Sequence, residues 1–367
     1  MMPYIPSSLP ISNLDWKRLI SLVGKANATL SQYNGLLESM INPHILLSPL
    51  TIKEATLSSK IEGTQATLSE VLEYEVGESY NIEKERDIQE IWNYRQAMLK
   101  AENLIKKDEC IHLNMIKNLH RILLNGVRGA NKARGEFRTD QNWIGPAGCS
   151  IQEATFVPPN PTDMNIALTN WENYLNNEDE DILIQLAIVH AQFEMIHPFK
   201  DGNGRIGRIL IPLFLYMKKY LKLPVFYLSE YLEGNREEYY ARLNAVSQEG
   251  KWQEWIEFFL NAIIIQSASN TKKAKAILEL YDKMKEKIQK VTHSQYAIAS
   301  LDAIFAQPIM NSTSFLKKTK IDRRGTSNTI LNKLVKEKIL TIAKKGAGRS
   351  PSRYIFTDLI QLVDSDM

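Results

Sequence analysis

His197, Asp201, Gly202, Asn203, Gly204, Arg205 and Arg208 fall within one run, His-Pro-Phe-Lys-Asp-Gly-Asn-Gly-Arg-Ile-Gly-Arg, at residues 197–208. A histidine accepts protons near neutral pH, a carboxylate attracts a hard cation, and arginine forks bond two phosphate oxygens at once. Behind the run, Ile206, Ile209, Leu210, Leu213, Phe214 and Met217 recur at the spacing of a helix with one buried face. Asn203 therefore stands near a helix start, where unpaired N–H groups and the positive dipole end attract phosphate. Gly202 and Gly204 let the backbone curl around an anion. Together these residues suit a metal-bound polyphosphate.

Two rival chemistries fit less well. Gly202, Gly204 and Gly207 satisfy the dinucleotide pattern G-x-G-x-x-G, but that pattern must follow a strand. Here Ile182, Leu186, Val189, Phe193 and Ile196 precede it at helical spacing, and residues 222–228 hold no carboxylate for a ribose. No Walker G-x-x-x-x-G-K-S/T occurs. His190 and His197 flank Glu194, yet no H-E-x-x-H or Cys/His pair set accompanies them, which argues against catalytic zinc. His190 reads as a core histidine. His197 is followed by Pro198 and stands at a helix-to-loop corner, where a base is useful.

The run resembles the signature of the Fic family, H-P-F-x-D/E-G-N-G-R-x-x-R, and matches it at every defined position; the resemblance extends over roughly residues 1–290. It implies an α-helical enzyme that transfers AMP from Mg²⁺-ATP to a Tyr, Ser or Thr hydroxyl of a target protein, and to itself. By the same resemblance His197 is the general base, Asp201 the Mg²⁺ ligand and Phe199 a core anchor. Gly202, Asn203 and Gly204 would cradle the α- and β-phosphates, Arg205 and Arg208 would hold the β- and γ-phosphates, and Ile206 and Gly207 complete the nucleotide-binding run. Such transfer depends mainly on alignment and charge neutralisation.

Pro49 to Lys60 reads as a short helix, with Pro49 near its start and Gly63 just past its end. Ser58, Glu62 and Gly63 fit the pattern S/T-x-x-x-E-G/N of the inhibitory helix that many relatives carry. On that resemblance Glu62 pairs with Arg208 and occupies the guanidinium meant for the γ-phosphate. A solvated helix-end glutamate is the plainer alternative.

Residues 136–161 break the helical rhythm with glycines and prolines. Two extended pieces, near Gln141–Ile144 and Ile151–Val157, flank a Gly-Pro-Ala-Gly turn and predict a β-hairpin. It resembles the family's flap, which docks an extended segment of the target protein by strand addition; a plain surface loop is the alternative. Tyr239 and Tyr240 stand where a family tyrosine borders the nucleotide, with core packing equally open. Trp252, Trp255, Phe258 and Phe259 recur at packing intervals.

Between Asn311 and Thr357, twelve lysines and arginines face two acids, a net +10, so the remainder carries −7 of a total of +3. Thr313–Thr319 and Thr326–Lys338 read as helices, and Ile339–Ala343 and Arg353–Phe356 as strands around a basic loop ending at Arg349. This looks like a winged helix, and DNA is its candidate partner through residues 311–357. A protein-contact or dimerisation module is the alternative, and a homodimer is left open.

Apolar content of 44% and charged content of 24% are ordinary for a soluble protein. Cys110 and Cys149 form no disulfide framework, the start shows no secretory signal, and the run Ile209–Met217 is too short for a bilayer. A cytoplasmic location without membrane contact is the expectation. The expected fold is mainly α: a Fic-type helical bundle with a small β-hairpin flap, followed by a C-terminal winged helix-turn-helix domain. The expected divisions are 1–110, an N-terminal helical region carrying the inhibitory helix at about 49–63; 111–268, the catalytic domain; 269–292, a linker helix; and 293–367, the winged helix. Alternative functions are a DNA-binding regulator that senses nucleotide, or a Fic enzyme that uses another nucleotide or removes AMP.

Overall fold

The computed structural model describes residues 2–108, 110–146, 148–346 and 351–365. Ahead of the signature come helices α1 (Trp16–Ser39), α2 (Pro43–Leu46), α3 (Ser48–Ile61), α4 (Leu68–Tyr74), α5 (Ile82–Asp108), α6 (Leu113–Leu123) and α7 (Pro161–Asn176). The signature joins α8 (Ile182–Ile196) to α9 (Asn203–Met217), and α10 (Ser229–Gly234), α11 (Arg236–Glu249) and α12 (Trp252–Thr292) follow.

α8 explains the arrangement around it. Its sequence is apolar on nearly every side, so it cannot lie at a surface. Leu183 through Phe193, Met195 and Ile196 are all buried. The indole N–H of Trp171 donates to Val189 O and that of Trp255 to Ala187 O, each at 2.8 Å, so α7 and α12 clasp α8 from two directions. α9 packs along α8 and runs through Pro212 without ending, and α1 lies along α12.

α3 forms where Pro49 and Gly63 predict it. Pro49 occupies the first turn, where its missing N–H costs nothing, and Gly63 adopts φ +97° just past the end. Polar residues Glu54, Ser58 and Ser59 of this helix are nonetheless buried.

The predicted hairpin forms only in part. Ile144 and Phe156 make a single antiparallel bridge, with Ile144 N–H donating to Phe156 O at 2.8 Å. Ile151–Glu153 is a 3₁₀ turn rather than strand, because Ser150 and Glu153 cap each other and curl the chain. Ala147 of the predicted turn lies outside the described residues.

The expected linker helix at 269–292 is the C-terminal part of α12. α12 is one helix of 41 residues, and the boundary at 268 falls inside it. Its polar residues Gln266, Asn270 and Lys273 are buried, because Gln266 and Lys273 donate to Glu230.

The C-terminal elements are α13 (Ala297–Ala306), β1 (Ile309–Asn311), α14 (Ser312–Thr319), α15 (Arg324–Lys336), β2 (Thr341–Lys344), β3 (Arg353–Ile355) and α16 (Thr357–Asp364). The strands pair antiparallel in the order β1-β3-β2, with Ile355 opposite both Ile309 and Thr341. Arg349 lies outside the described residues. This unit rests on the rest of the chain: Lys53 of α3 donates to Val363 O of α16, and Arg353 and Lys344 pair with Glu78.

Candidate active site

The loop between α8 and α9 is pinned before it can bind anything. His197 ends α8 in the left-handed region, φ 49° and ψ 61°, with its N–H returned to Phe193 O at 3.0 Å. A non-glycine residue there costs about 1–2 kcal/mol, which marks a position over-determined by its surroundings. Arg138 supplies much of that determination. It is buried and donates to the carbonyls of His197 (3.0 Å), Ile196 (3.3 Å), Asp140 (3.2 Å) and Pro159 (2.5 Å). Two of these are end-of-helix carbonyls that otherwise lack a donor. Burial brings Arg138 down to about 10, still charged at neutral pH.

Asn203 closes the loop from the other side. Its Oδ1 accepts from Phe199 N–H at 2.8 Å, and its Nδ2 donates to Phe199 O at 2.9 Å. Phe199 stacks on His120 with ring centres 3.8 Å apart, confirming the anchor. The Nδ1 of His120 accepts from Gly135 N–H at 2.9 Å, so its proton is on Nε2, which donates to Asp201 O at 2.9 Å. Burial lowers His120 to about 4 and keeps it neutral.

These bonds leave His197 a defined tautomer. Its Nδ1 lies 3.2 Å from Glu194 O, a pure acceptor, so Nδ1 carries the hydrogen and Nε2 the free lone pair. Burial lowers His197 to about 4, against the opposing bond to that carbonyl. A neutral acceptor therefore stands at the corner. Ahead of it α9 begins at Gly202, φ +82°, and its first backbone bond is Ile206 N–H to Gly202 O at 3.1 Å. The N–H groups of the first turn before Ile206 have no helical acceptor and face an incoming anion.

The residues of the run point different ways. A β-carbon at Gly202 would meet His120 and one at Gly204 would meet Glu62, the Asn203 side chain is spent on Phe199, and Ile206 is fully buried in the core. Gly207 is turned toward Glu194, because adjacent helix positions point about 100° apart. Arg205 is buried, its Nη1 bonds Glu90 Oε2 at 2.9 Å, and its Nη2 lies 3.4 Å from Asp201 Oδ1. Glu90 neutralises it internally and also accepts from Thr64. Tyr239 is a core residue, its hydroxyl 3.0 Å from His190 Nε2 and its ring near Trp255. His190 is likewise buried, and desolvation pulls it down to about 3. Tyr240 alone of the tyrosine pair stays partly exposed, with Arg236 over its ring.

Arg208 is buried and already engaged. Its Nε donates to Ser58 Oγ and its Nη2 to Ser58 O, both at 2.9 Å, and Nη2 reaches Glu62 Oε1 at 2.7 Å. Burial alone would raise the Glu62 carboxyl, but the charge and hydrogen bond of Arg208, aided by Arg205, hold it below the ordinary range. The Glu62 carboxyl sits against Gly204, where a β-carbon would lie 2.2 Å from Oε1. Glu62 thus covers the first turn of α9 at Gly204.

Asp201 is only partly exposed, and Lys132 stands 3.4 Å from its Oδ2. Gly129, φ +82°, lets it in: a β-carbon there would approach Oδ2 to 2.8 Å. Among the described residues no group of three His, Cys, Asp or Glu side chains could hold a metal ion. A cation here would have one protein carboxylate, which suits Mg²⁺ bound jointly with phosphate oxygens. His120, Arg138 and Glu90 went unnoticed in the sequence; their partners Gly135, His197 and Arg205 lie 15, 59 and 115 positions away.

Two family models match the chain: the Fic/DOC family N-terminal model over residues 20–103 and the Fic/DOC family model over residues 110–215. Among curated relatives, the "Protein adenylyltransferase Fic" of Aedes aegypti is 30% identical over 158 residues, 42% of this chain and 28% of that protein. A "Probable protein adenylyltransferase" of Aquifex aeolicus is 30% identical over 196 residues, 52% of this chain and 56% of its own length. The chain thus spans between about a quarter and a half of these relatives. A Fic family protein from Desulfovibrio desulfuricans superposes with a TM-score of 0.58 at 21% identity, covering 97% of this chain and 98% of that one. Fic-1 from C. elegans gives 0.52 at 20% identity, covering 72% and 75%. These structures share the fold across the helical bundle, the family models span both α3 and the signature, and the chain belongs to the Fic/DOC family.

Proposed function

We propose that the chain is a protein adenylyltransferase that moves AMP from Mg²⁺-ATP to a hydroxyl of a target protein. The carrying observation is the neutral Nε2 of His197, held free beside an anion-receptive helix start and a buried arginine. The hydroxyl oxygen attacks the α-phosphorus, its proton passes to Nε2, and the bond to the bridging oxygen breaks to release pyrophosphate. Asp201 is the residue that would hold Mg²⁺, which neutralises phosphate charge when bound. First-turn N–H groups of α9 and Arg208 position the triphosphate. The names of the mosquito and Aquifex relatives support the same activity.

Two features refine this reading. Glu62 makes the resting chain autoinhibited, because a phosphate and its carboxylate cannot share Arg208 and the Gly204 surface. Exposed Trp143 and Ile144, beside the single bridge at Ile144, offer a backbone edge to a target segment. A pure nucleotide sensor would have no use for the prepared base, which favours the enzyme. The test is incubation of wild type, Glu62→Gly and Glu62→Gly/His197→Ala with each α-labelled nucleotide and Mg²⁺. Label on protein from ATP in Glu62→Gly alone supports the reading; equal label in all three defeats it.

The C-terminal unit runs helix–strand–helix–helix–strand–strand–helix, and we take it as a winged helix with duplex DNA as its partner. Its positive charge supports this. Salt-dependent retention of the full chain on duplex DNA tests it, and absence of retention at low salt would assign the unit to protein contacts. Among the described residues no helix is long and apolar enough to cross a membrane. The cytoplasm, where ATP and Mg²⁺ are supplied and Cys110 and Cys149 stay free, is the proposed location.

A further inference from the structure

One carboxyl beside Arg208 is used by nothing described so far. Glu194 shares a face of α8 with His190 and His197, and its Oε1 is buried with no hydrogen-bond partner among the described residues. It fills the space at Gly207, where a β-carbon would lie 2.1 Å from Oε1. Glu62 does the same at Gly204. The two glycines are three positions apart on α9, and Arg208 follows directly, so the helix offers two carboxyl seats near one guanidinium. Only the Glu62 seat is paired with it.

The groups facing Glu194 are Glu62 from α3, Arg208 from α9, His190 from its own helix, and Tyr239 and Tyr240 from α11. Burial pushes its carboxyl up to about 8, while Arg208 pulls it back and Glu62 adds to the rise. His190 is neutral, and both tyrosine hydroxyls are held un-ionised by burial. With Glu62 in place, Arg208 therefore has one anionic partner, and Glu194 is an un-ionised acid. An apolar side chain would pack here without stranding a polar atom, so a buried acid with an unmade bond calls for a reason.

We propose that Glu194 is a positioning residue for Arg208: when the Glu62 seat is empty its carboxylate takes the guanidinium, and when a phosphate fills that seat it accepts a solvent proton and releases the arginine. This rests on reading residues 202–208 as a nucleotide cradle. Arg208 is then never left as a lone buried charge, a costly state. An arriving phosphate adds negative charge beside Glu194 and raises its proton affinity. Nucleotide binding therefore takes up a proton through Glu194, and affinity falls as pH rises through the range where the free carboxyl ionises.

The experiment uses full-length Glu62→Gly and Glu62→Gly/Glu194→Gln. Mg²⁺-ATP is titrated calorimetrically between pH 7 and 9, in buffers of different ionisation enthalpy. The nucleotide's own protons contribute equally to both proteins and cancel. We expect Glu62→Gly to take up a larger fraction of a proton, and its Kd to weaken by up to about tenfold more per pH unit than that of the double variant. Equal proton uptake and parallel pH profiles would overturn the proposal and leave the cradle standing. No Mg²⁺-ATP binding by Glu62→Gly at any pH would instead defeat the cradle reading, and this inference with it. Should the glutamine variant not fold, Glu194→Met, of similar volume and unable to ionise, gives the same comparison.

Discussion

Glu62 Oε1 lies 2.7 Å from Arg208 Nη2, at the surface Gly204 leaves bare. The contact joins the end of α3 to the second turn of α9 across 146 positions of sequence. A charge-assisted hydrogen bond of this kind contributes about 1.5–3 kcal/mol. Nucleotide competing for the same guanidinium must displace it. Glu62→Gly should accordingly raise labelling of protein from α-labelled ATP by about 10- to 100-fold, most visibly as self-modification. Unchanged labelling would show that Glu62 restrains nothing.

His197→Ala in the Glu62→Gly background should lower transfer by about 10²–10⁴-fold, the usual worth of a positioned base. The pH profile adds a sharper check. A base must be neutral to accept, and burial keeps His197 neutral down to about pH 4. The rate should therefore stay level as pH falls from 7 to 5. A half-fall near 6.5, the ordinary imidazole value, would show that the histidine titrates as if exposed.

Arg138→Met should leave the carbonyls of Ile196, His197, Asp140 and Pro159 without their donor. Each lost bond in a buried setting costs about 1 kcal/mol, so the four together predict a loss of about 4 kcal/mol in urea unfolding. Transfer should fall as well, since the left-handed turn at His197 loses its brace. A variant as stable as wild type would remove Arg138 from that role.

Gly207→Ala sets two effects against each other. Alanine in a helix interior is favoured over glycine by about 1 kcal/mol. Here its β-carbon would lie 2.1 Å from Glu194 Oε1, and such overpacking costs about 1–3 kcal/mol. The single variant should be destabilised, and Glu194→Ala/Gly207→Ala should recover part of the loss. Thermal melts of both single variants and the double measure the coupling; strict additivity would show that the two side chains never meet.

That residues 197–208 stand around a helix start was legible, because the loop residues are neighbours in sequence and the apolar spacing behind them is helical. α3 was legible from Pro49 and Gly63, which carry local backbone requirements. The partner of Arg205 was not legible, because an arginine looks the same whether it grips phosphate or a buried glutamate; only the fold brings Glu90 to it. Tyr239 and Tyr240 are adjacent, and helical rotation alone sends the first into the core. The polar stretch of α12 read as a linker helix, and its burial was not legible because its partner Glu230 lies 43 positions from Lys273.

The long α12 has a practical meaning for how this protein could be shortened or recombined. At about 1.5 Å per residue it is a rod of roughly 60 Å, and it serves both the bundle around Trp255 and the basic tail. No hinge separates the halves along it. A tail exchanged for another by cutting near residue 268 would sever a buried polar seam as well as a covalent one, so inheritance of the two parts is tied together by shared architecture.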